Sequence, residues 1–364
     1  MTKVIHCNTS GVVVDIPTLQ DDTGVLISGS LTPERVAFVC ADTQIGGFTV
    51  RWQGRTARSV FPAWPGSFEG GLLNPPLPTL VYGPTSSPFL RIEDGQFRNN
   101  EGRWIWAGAT DMNLSSRWLR GEHITPIIEQ RKRAGAILLR VLAMGWPFVP
   151  HSGNPYAFPH YWDETRGVPG LWARLADEGL YCEWVIFAGT RFNLTTLSEQ
   201  LDFFVETTEH LQQHPNMLAE LSNEWNHHTQ RHDPHLFSRP STTTLFSHGS
   251  GGTDAPPVTP LWDYGTYHAR RDTDNARGFT NYDAFEFQAD YPKSCPLIPE
   301  ESAKPENYQF NPDFAYRMGQ HCGINWGGTF HSGAGVRSLL WSDQEYQCAQ
   351  AFYRGLRDAA HRQE

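Results

Sequence analysis

The feature that most restricts how this chain can fold is a rhythm that begins near residue 95. FRNNEGRWIWAGA (97–109) reads as a hairpin running into a buried strand. A helical pattern over about 121–134 follows, and then the apolar strand AILLRVLAM (136–144). The pattern repeats as helix 170–178 with strand LYCEWVIFA (180–188), and as a helix around 197–213 with strand MLAELSN (217–223). Later strand candidates are STTTLFS (241–247), LWDYGTYH (261–268), CPLIPEE (295–301) and INWGGTF (324–330), before a last helix through about 343–358. Alternating strands and helices predict a parallel sheet, and eight such units predict an α/β fold of the (β/α)8 TIM-barrel type over residues 96–364. The fifth and sixth units carry the weakest pattern, because the connection between them (248–260) is short and rich in Gly and Pro.

Residues 1–95 read differently. GVVVDI, GVLISGS, RVAFVCA, GFTVRW and TLVYG are short strand-like runs separated by Gly, Pro and Asp, with no long helical pattern. They predict a small β-rich N-terminal region. FPAWPGSFEGGLLNPPLPT (61–79) is Pro/Gly-rich and aromatic, and reads as an ordered surface loop.

Composition narrows the function classes. With 39% hydrophobic and 19% charged residues, 33 Gly and 26 Pro, the 364-residue chain calls for a sizeable core and defined loops rather than disorder. A formal net charge of −10 and no basic run argue against nucleic-acid binding. The densest basic cluster, Arg131-Lys132-Arg133, lies in a helical pattern and is expected to face solvent. The 13 Trp suit either sugar-stacking surfaces or a large core. Cys7, Cys40, Cys182, Cys295, Cys322 and Cys348 form no CxxC; several fall in apolar stretches and read as buried thiols, a reducing compartment is the simpler expectation, and the even count leaves disulfides open. No signal-peptide core opens MTKVIHCNTSGVVVDIP and no 18-residue apolar run occurs, so a cytoplasmic location away from membranes is the default expectation.

In a parallel barrel the chemistry sits at the C-terminal ends of the strands. Two of those ends carry glutamates: "LSNEWN" closes strand four with Asn223-Glu224, and "CPLIPEESAK" closes strand seven with Glu300-Glu301. Three βα units separate them, which lets both face one cleft. Paired carboxylates across a cleft suit glycoside hydrolysis, one protonated to serve the leaving oxygen and one ionised to attack the anomeric carbon.

These motifs resemble the clan of retaining glycoside hydrolases with (β/α)8 barrels, in which an Asn-Glu pair closes strand four and a Glu closes strand seven. The resemblance covers roughly 95–358. It implies that Glu224 is the acid/base, that Asn223 holds the 2-hydroxyl of the reacting sugar, and that Glu301 is the nucleophile, with Glu300 as its rival. It also implies that Arg140 in "ILLRVLAMG" holds the nucleophile, and that His268 in "DYGTYHARR" belongs to the site. The clan's aromatic after that His is absent, with Ala269 and Arg270 in its place, and Tyr264 or Tyr267 are candidate substitutes. Strand eight, "INWGGTFHSG", offers Trp326 and His331, with Trp341 further on. Trp146, Trp162, Trp225 and Trp262 are candidate sugar platforms or loop packing. The expected partner is a carbohydrate substrate, with no cofactor.

Blander and rival readings stand beside this one. Glu224 can cap a following helix, Glu301 can be a solvated surface charge, and Arg140 can belong to a structural ion pair in the barrel. Among His227, His228, His232 and His235, the spacing of His228 and His232 suits a metal on a helix face, but Asp233-Pro234 favours a turn and no HExxH is present. A non-catalytic carbohydrate-binding barrel and a metallohydrolase using the 227–235 histidines are the alternatives.

Overall fold

The computed structural model describes residues 90–144, 155–190, 193–227, 232–249, 251, 257–268, 295–300, 305–324 and 326–362, together with short strands before residue 84. The chain divides into two compact units, Met1–Phe89 and Leu90–Glu364. In the first, Val13–Asp15, Thr49–Trp52, Arg55–Ser59 and Leu80–Gly83 pair in that order as an antiparallel sheet, and His6–Cys7 pairs in parallel with Leu26–Ile27. The 61–79 loop lies outside the described residues.

The second unit opens with three antiparallel strands, Arg91–Glu93, Gln96–Asn99 and Gly102–Arg103. Asp94 and Gly95 both take positive φ (51° and 70°), as a two-residue turn between right-twisted strands requires. Eight strands follow, which we label β1 (Trp106–Thr110), β2 (Leu138–Leu142), β3 (Tyr181–Phe187), β4 (Met217–Ser222), β5 (Leu245–Ser247), β6 (Gly265–His268), β7 (Leu297–Glu300) and β8 (Gly327–Phe330).

All of the pairings among these strands are parallel. Strands β1 to β5 pair in sequence, β6 pairs with β7, and β8 pairs with β1. A single parallel bridge, Ser247 to Tyr264, links β5 to the entry of β6, and β7 packs alongside β8. Every residue of β1, β2, β4, β6, β7 and β8 is buried, the pattern of strands covered on both faces.

The helices are α1 (Leu114–Leu119), α2 (Thr125–Ala134), α3 (Val168–Asp177), α4 (Leu197–Leu211), α5 (Pro312–Gly323), α6 (Gly333–Val336) and α7 (Asp343–Ala360). Local chemistry sets their starts. Thr196 with Glu199 and Ser342 with Glu345 form reciprocal capping boxes at α4 and α7, and Asn311 caps α5. Helices α5 and α7 pack backbone to backbone. A Cβ on Gly319 would lie 1.9 Å from the Phe352 carbonyl oxygen, so only glycine permits that approach. No helix among the described residues is long and apolar enough to cross a membrane.

The basic cluster on α2 departs from expectation. Arg133 is exposed and Lys132 pairs with Glu178, but Arg131 is fully buried. It donates to both carboxylate oxygens of Asp111 at 2.9 Å and to the Leu339 carbonyl, and its guanidinium lies 3.8 Å from the Trp341 ring centre. The helical period had pointed outward for the triplet as a whole, while one position of the three falls on the inner face.

Candidate active site

The carboxyl end of β4 carries Asn223-Glu224. Asn223 is buried, and its backbone N–H donates to Phe187 at the end of β3 (3.0 Å). Glu224 has φ of +46°, a left-handed conformation uncommon outside glycine. The chain turns here rather than entering a helix, with His227 N–H donating back to the Glu224 carbonyl at 2.7 Å. Glu224 is therefore not a helix cap. The residues just after β5 pack closely against the end of β4: a Cβ on Gly249, itself at φ +96°, would lie 2.1 Å from the Ser222 carbonyl oxygen. Strain held by surrounding packing is a common property of functional positions.

His268, the last residue of β6, reaches this carboxylate, with Nδ1 3.0 Å from Glu224 Oε1. Its other nitrogen, Nε2, lies 3.7 Å from Oε2 of Glu300, the last residue of β7. The register places them directly: His268 pairs with Glu300 across the β6–β7 ladder. One imidazole thus stands between the carboxylates of β4 and β7, with Glu224 slightly exposed at 9% and Glu300 wholly buried. Glu301 lies outside the described residues, as do Ala269 and Arg270.

Arg140, in the middle of β2, is fully buried and gathers the polar groups from below. Its Nε is 2.6 Å from Glu300 Oε1. Its Nη2 donates to Glu220 Oε2 at 2.6 Å and to Asn223 Oδ1 at 2.9 Å, and Glu183 Oε2 lies 3.6 Å from Nε. Glu183 of β3 and Glu220 of β4 are both inaccessible to solvent. Burial, reinforced by the Glu220 charge, pushes the Glu183 carboxyl up to about 7. Burial pushes Glu220 up to about 8 against the pull of Arg140. Glu183, Glu220 and Glu300 bring oxygens within 4.8 Å of one another, and among the described residues this is the grouping close enough to hold one ion. The Arg140 guanidinium already supplies positive charge there.

The remaining candidates divide. His331 follows the last residue of β8 directly and is buried at the same end of the sheet. Trp225 is half-buried beside Glu224, with its ring edge-on to His235 at 6.3 Å. Trp326 is not brought to the cluster. It precedes β8, at the opposite strand end, and its indole donates to the Gly95 carbonyl at 2.5 Å. The Tyr264 hydroxyl lies 3.0 Å from both Glu183 Oε1 and the Ala219 carbonyl. Tyr267 precedes His268 in the strand and so projects to the opposite face.

Trp162 stacks on His210 and Trp262 on His248, while Trp146 lies outside the described residues. Of the histidines, His232 packs between Phe187 and Phe237 and contacts Gln200, and burial lowers it to about 3. Its ring therefore belongs to the apolar core, and His228 is outside the described residues. Glu183 and Glu220 were not singled out in the sequence. The available signal was one carboxylate inside each of the apolar strands "YCEWVIF" and "MLAELS", the same signal that marked Arg140.

No protein-family profile and no curated protein sequence matches the chain. Solved structures do. A candidate glycoside hydrolase from Bacteroides vulgatus ATCC 8482 superposes with a TM-score of 0.53 at 12% identity, over 82% of this chain and 67% of that one. A glycoside hydrolase family 5 protein from the same organism gives 0.48 at 13% identity, over 70% of this chain. A family 5 mannosidase from Rhizomucor miehei gives 0.44 at 12% identity, over 76% of this chain and 99% of that one. The chain spans 64% of the length of the family 5 protein from B. vulgatus. At 12% identity the likeness to the first of these structures is one of fold.

Proposed function

We propose that Leu90–Glu364 forms a (β/α)8 barrel and that the protein is a retaining glycoside hydrolase acting on the O-glycosidic bonds of an oligo- or polysaccharide. The observation that carries this reading is the placement of His268 between Glu224 and Glu300, with Arg140 against Glu300. Glu224 is the acid/base: less deeply buried, it protonates the leaving oxygen and then activates water. Glu300 is the nucleophile. Arg140, 2.6 Å away, favours its ionised form and orients it toward the anomeric carbon. Asn223, held by Arg140, presents its amide N–H to the 2-hydroxyl of the reacting sugar. Trp225 and His331 are proposed as walls of the sugar site. The mechanism needs no cofactor, since two carboxyl groups with different surroundings supply both acid and nucleophile.

Glu300 replaces Glu301 as our first choice because of these contacts, and the substitution series tests the choice. Glu224→Ala and Glu300→Ala are expected to abolish turnover of aryl-glycosides, while Glu301→Ala retains it. A dead Glu301→Ala beside an active Glu300→Ala would move the nucleophile by one residue. Proton NMR of the first-formed product is expected to show retained anomeric configuration; inversion would overturn the mechanism. Binding without turnover across a panel of glycosides would replace it with a carbohydrate-binding role.

A further inference from the structure

Helix α4 leaves an apolar row uncovered. Leu197, Leu201 and Val205 recur every four residues and so line one side of the helix, and they are 46%, 39% and 53% exposed. Single exposed leucines are ordinary on a protein surface, whereas a contiguous apolar row bordered by charge marks a contact surface. The buried face of α4 carries Phe203 and Phe204. Phe203 meets Tyr161 and Trp162 at one edge of that face, and Phe204 meets Phe237 at the other. Leu201 precedes Phe204 by three positions, so the row lies beyond the Phe204 edge, on the side of the connection from β4 to β5. Helical cover stops there. The links β1–β2, β2–β3, β3–β4 and β7–β8 each carry an α-helix. Between β4 and β5 the described residues form only the 3-10 turn Pro234–Leu236, in which Leu236 is 56% exposed. The flank of α4 that a neighbouring helix would cover therefore faces solvent.

Charge selects the occupant. Helix α4 carries Glu199, Asp202, Glu206 and Glu209 and neither Lys nor Arg. Asp202 and Glu209 are exposed and border the row on its solvent side. A second copy would set acidic helix against acidic helix, in a chain whose formal net charge is already −10. We propose that the Leu197–Leu201–Val205 face of α4 is a docking site for a cationic amphipathic helix of a partner protein. The partner's apolar side lies on the row, its Lys or Arg side chains meet Asp202 and Glu209, and it takes the place left open beside α4.

The probe is a fluorescein-labelled synthetic helix of about 18 residues, leucine on one face and lysine on the other, with a leucine/glutamate counterpart as control. Fluorescence anisotropy with the full chain should show saturable binding of the leucine/lysine peptide, with Kd on the order of 10 μM, and at least about tenfold weaker binding of the counterpart. Leu201→Gln combined with Val205→Gln should weaken the leucine/lysine peptide by about tenfold or more. Asp202→Asn combined with Glu209→Gln should weaken it by about threefold and flatten its salt dependence. Ile324→Gln combined with Leu340→Gln removes two side chains of similar exposure (50% and 53%) elsewhere on the surface, and should leave Kd unchanged. All of these positions are exposed, so the variants are expected to fold. Equal binding of the two peptides, binding of neither, or a Kd indifferent to the Leu201/Val205 pair would refute the docking site. Dimerisation in sedimentation velocity that this pair abolishes would make a second copy the occupant and overturn the assignment. Flotation with phosphatidylcholine vesicles that the pair abolishes would overturn it in favour of a lipid surface.

Discussion

Two buried arginines in this molecule do opposite things. Arg131 meets one carboxylate, Asp111, through two bonds of equal length, adds a backbone carbonyl, and rests on the Trp341 ring. Charge and hydrogen bonds balance, and the pair ties α2 to the end of β1. Arg140 meets three carboxyl groups and an asparagine. That imbalance is poor engineering for stability, since it forces protonation or costs free energy. It suits the proposed chemistry, because burial around one guanidinium raises the Glu183 and Glu220 carboxyls well above the ordinary 4.5. A matched buried ion pair is what a fold needs, and the mismatched one inside β2, β3 and β4 fits the proposed site beneath the strand ends.

The sharpest test of that contrast is one substitution in each centre. Glu300→Ala should cost about 10³-fold or more in kcat with little loss of Tm, because it removes surplus negative charge. Asp111→Ala should do the reverse: it strands Arg131, costs about 3–5 kcal/mol of stability, and leaves kcat per folded molecule unchanged. Equal effects on stability from both variants would erase the distinction.

Gly249→Ala comes next. Its methyl would collide with Ser222, shift the strand end that carries Glu224, and lower kcat by about tenfold with a modest fall in Tm. Unchanged kinetics would mean that the left-handed Glu224 is not set by this contact.

The pH dependence separates the centres more gently. Glu183 and Glu220 rise from the ordinary 4.5 to about 7 and about 8 in the fold. Their contribution to stability is therefore complete below about 4.5 and is lost as pH rises through about 7 to 8. Thermal unfolding should show Tm falling over that window, with a shallower fall in Glu183→Gln. The smallest effect is expected of Trp326→Phe, which loses one hydrogen bond to Gly95. It should cost about 1 kcal/mol and leave KM for any glycoside unchanged. A raised KM would return Trp326 to the sugar site.

Much of the second unit was legible from local pattern. The runs around 138–142, 181–187 and 217–222 are nearly continuous apolar stretches bounded by helical segments, so hydrophobic period alone places β2, β3 and β4. Asn223-Glu224 stood out because polar residues end an apolar run. The choice between Glu300 and Glu301 was not legible. A one-residue shift along a strand reverses the face a side chain takes, and both glutamates satisfy the same short motif. Arg131 misled for a related reason: helical period shows that a face is buried without saying where its edge falls.

By itself, then, the sequence determined the alternation of strand and helix, the capping boxes that start α4 and α7, and the polar residues that end β4 and β7. All of these depend on neighbours within a few positions. Only the tertiary structure decided that Arg140, Glu183, Glu220 and Glu300 share one pit, and that His268 touches carboxylates from two different strands. These groups come from five strands spread over 160 residues, His268 lying on β6 and the others on β2, β3, β4 and β7. Their charges acquire meaning only when burial strips away water and leaves each to be balanced by the others.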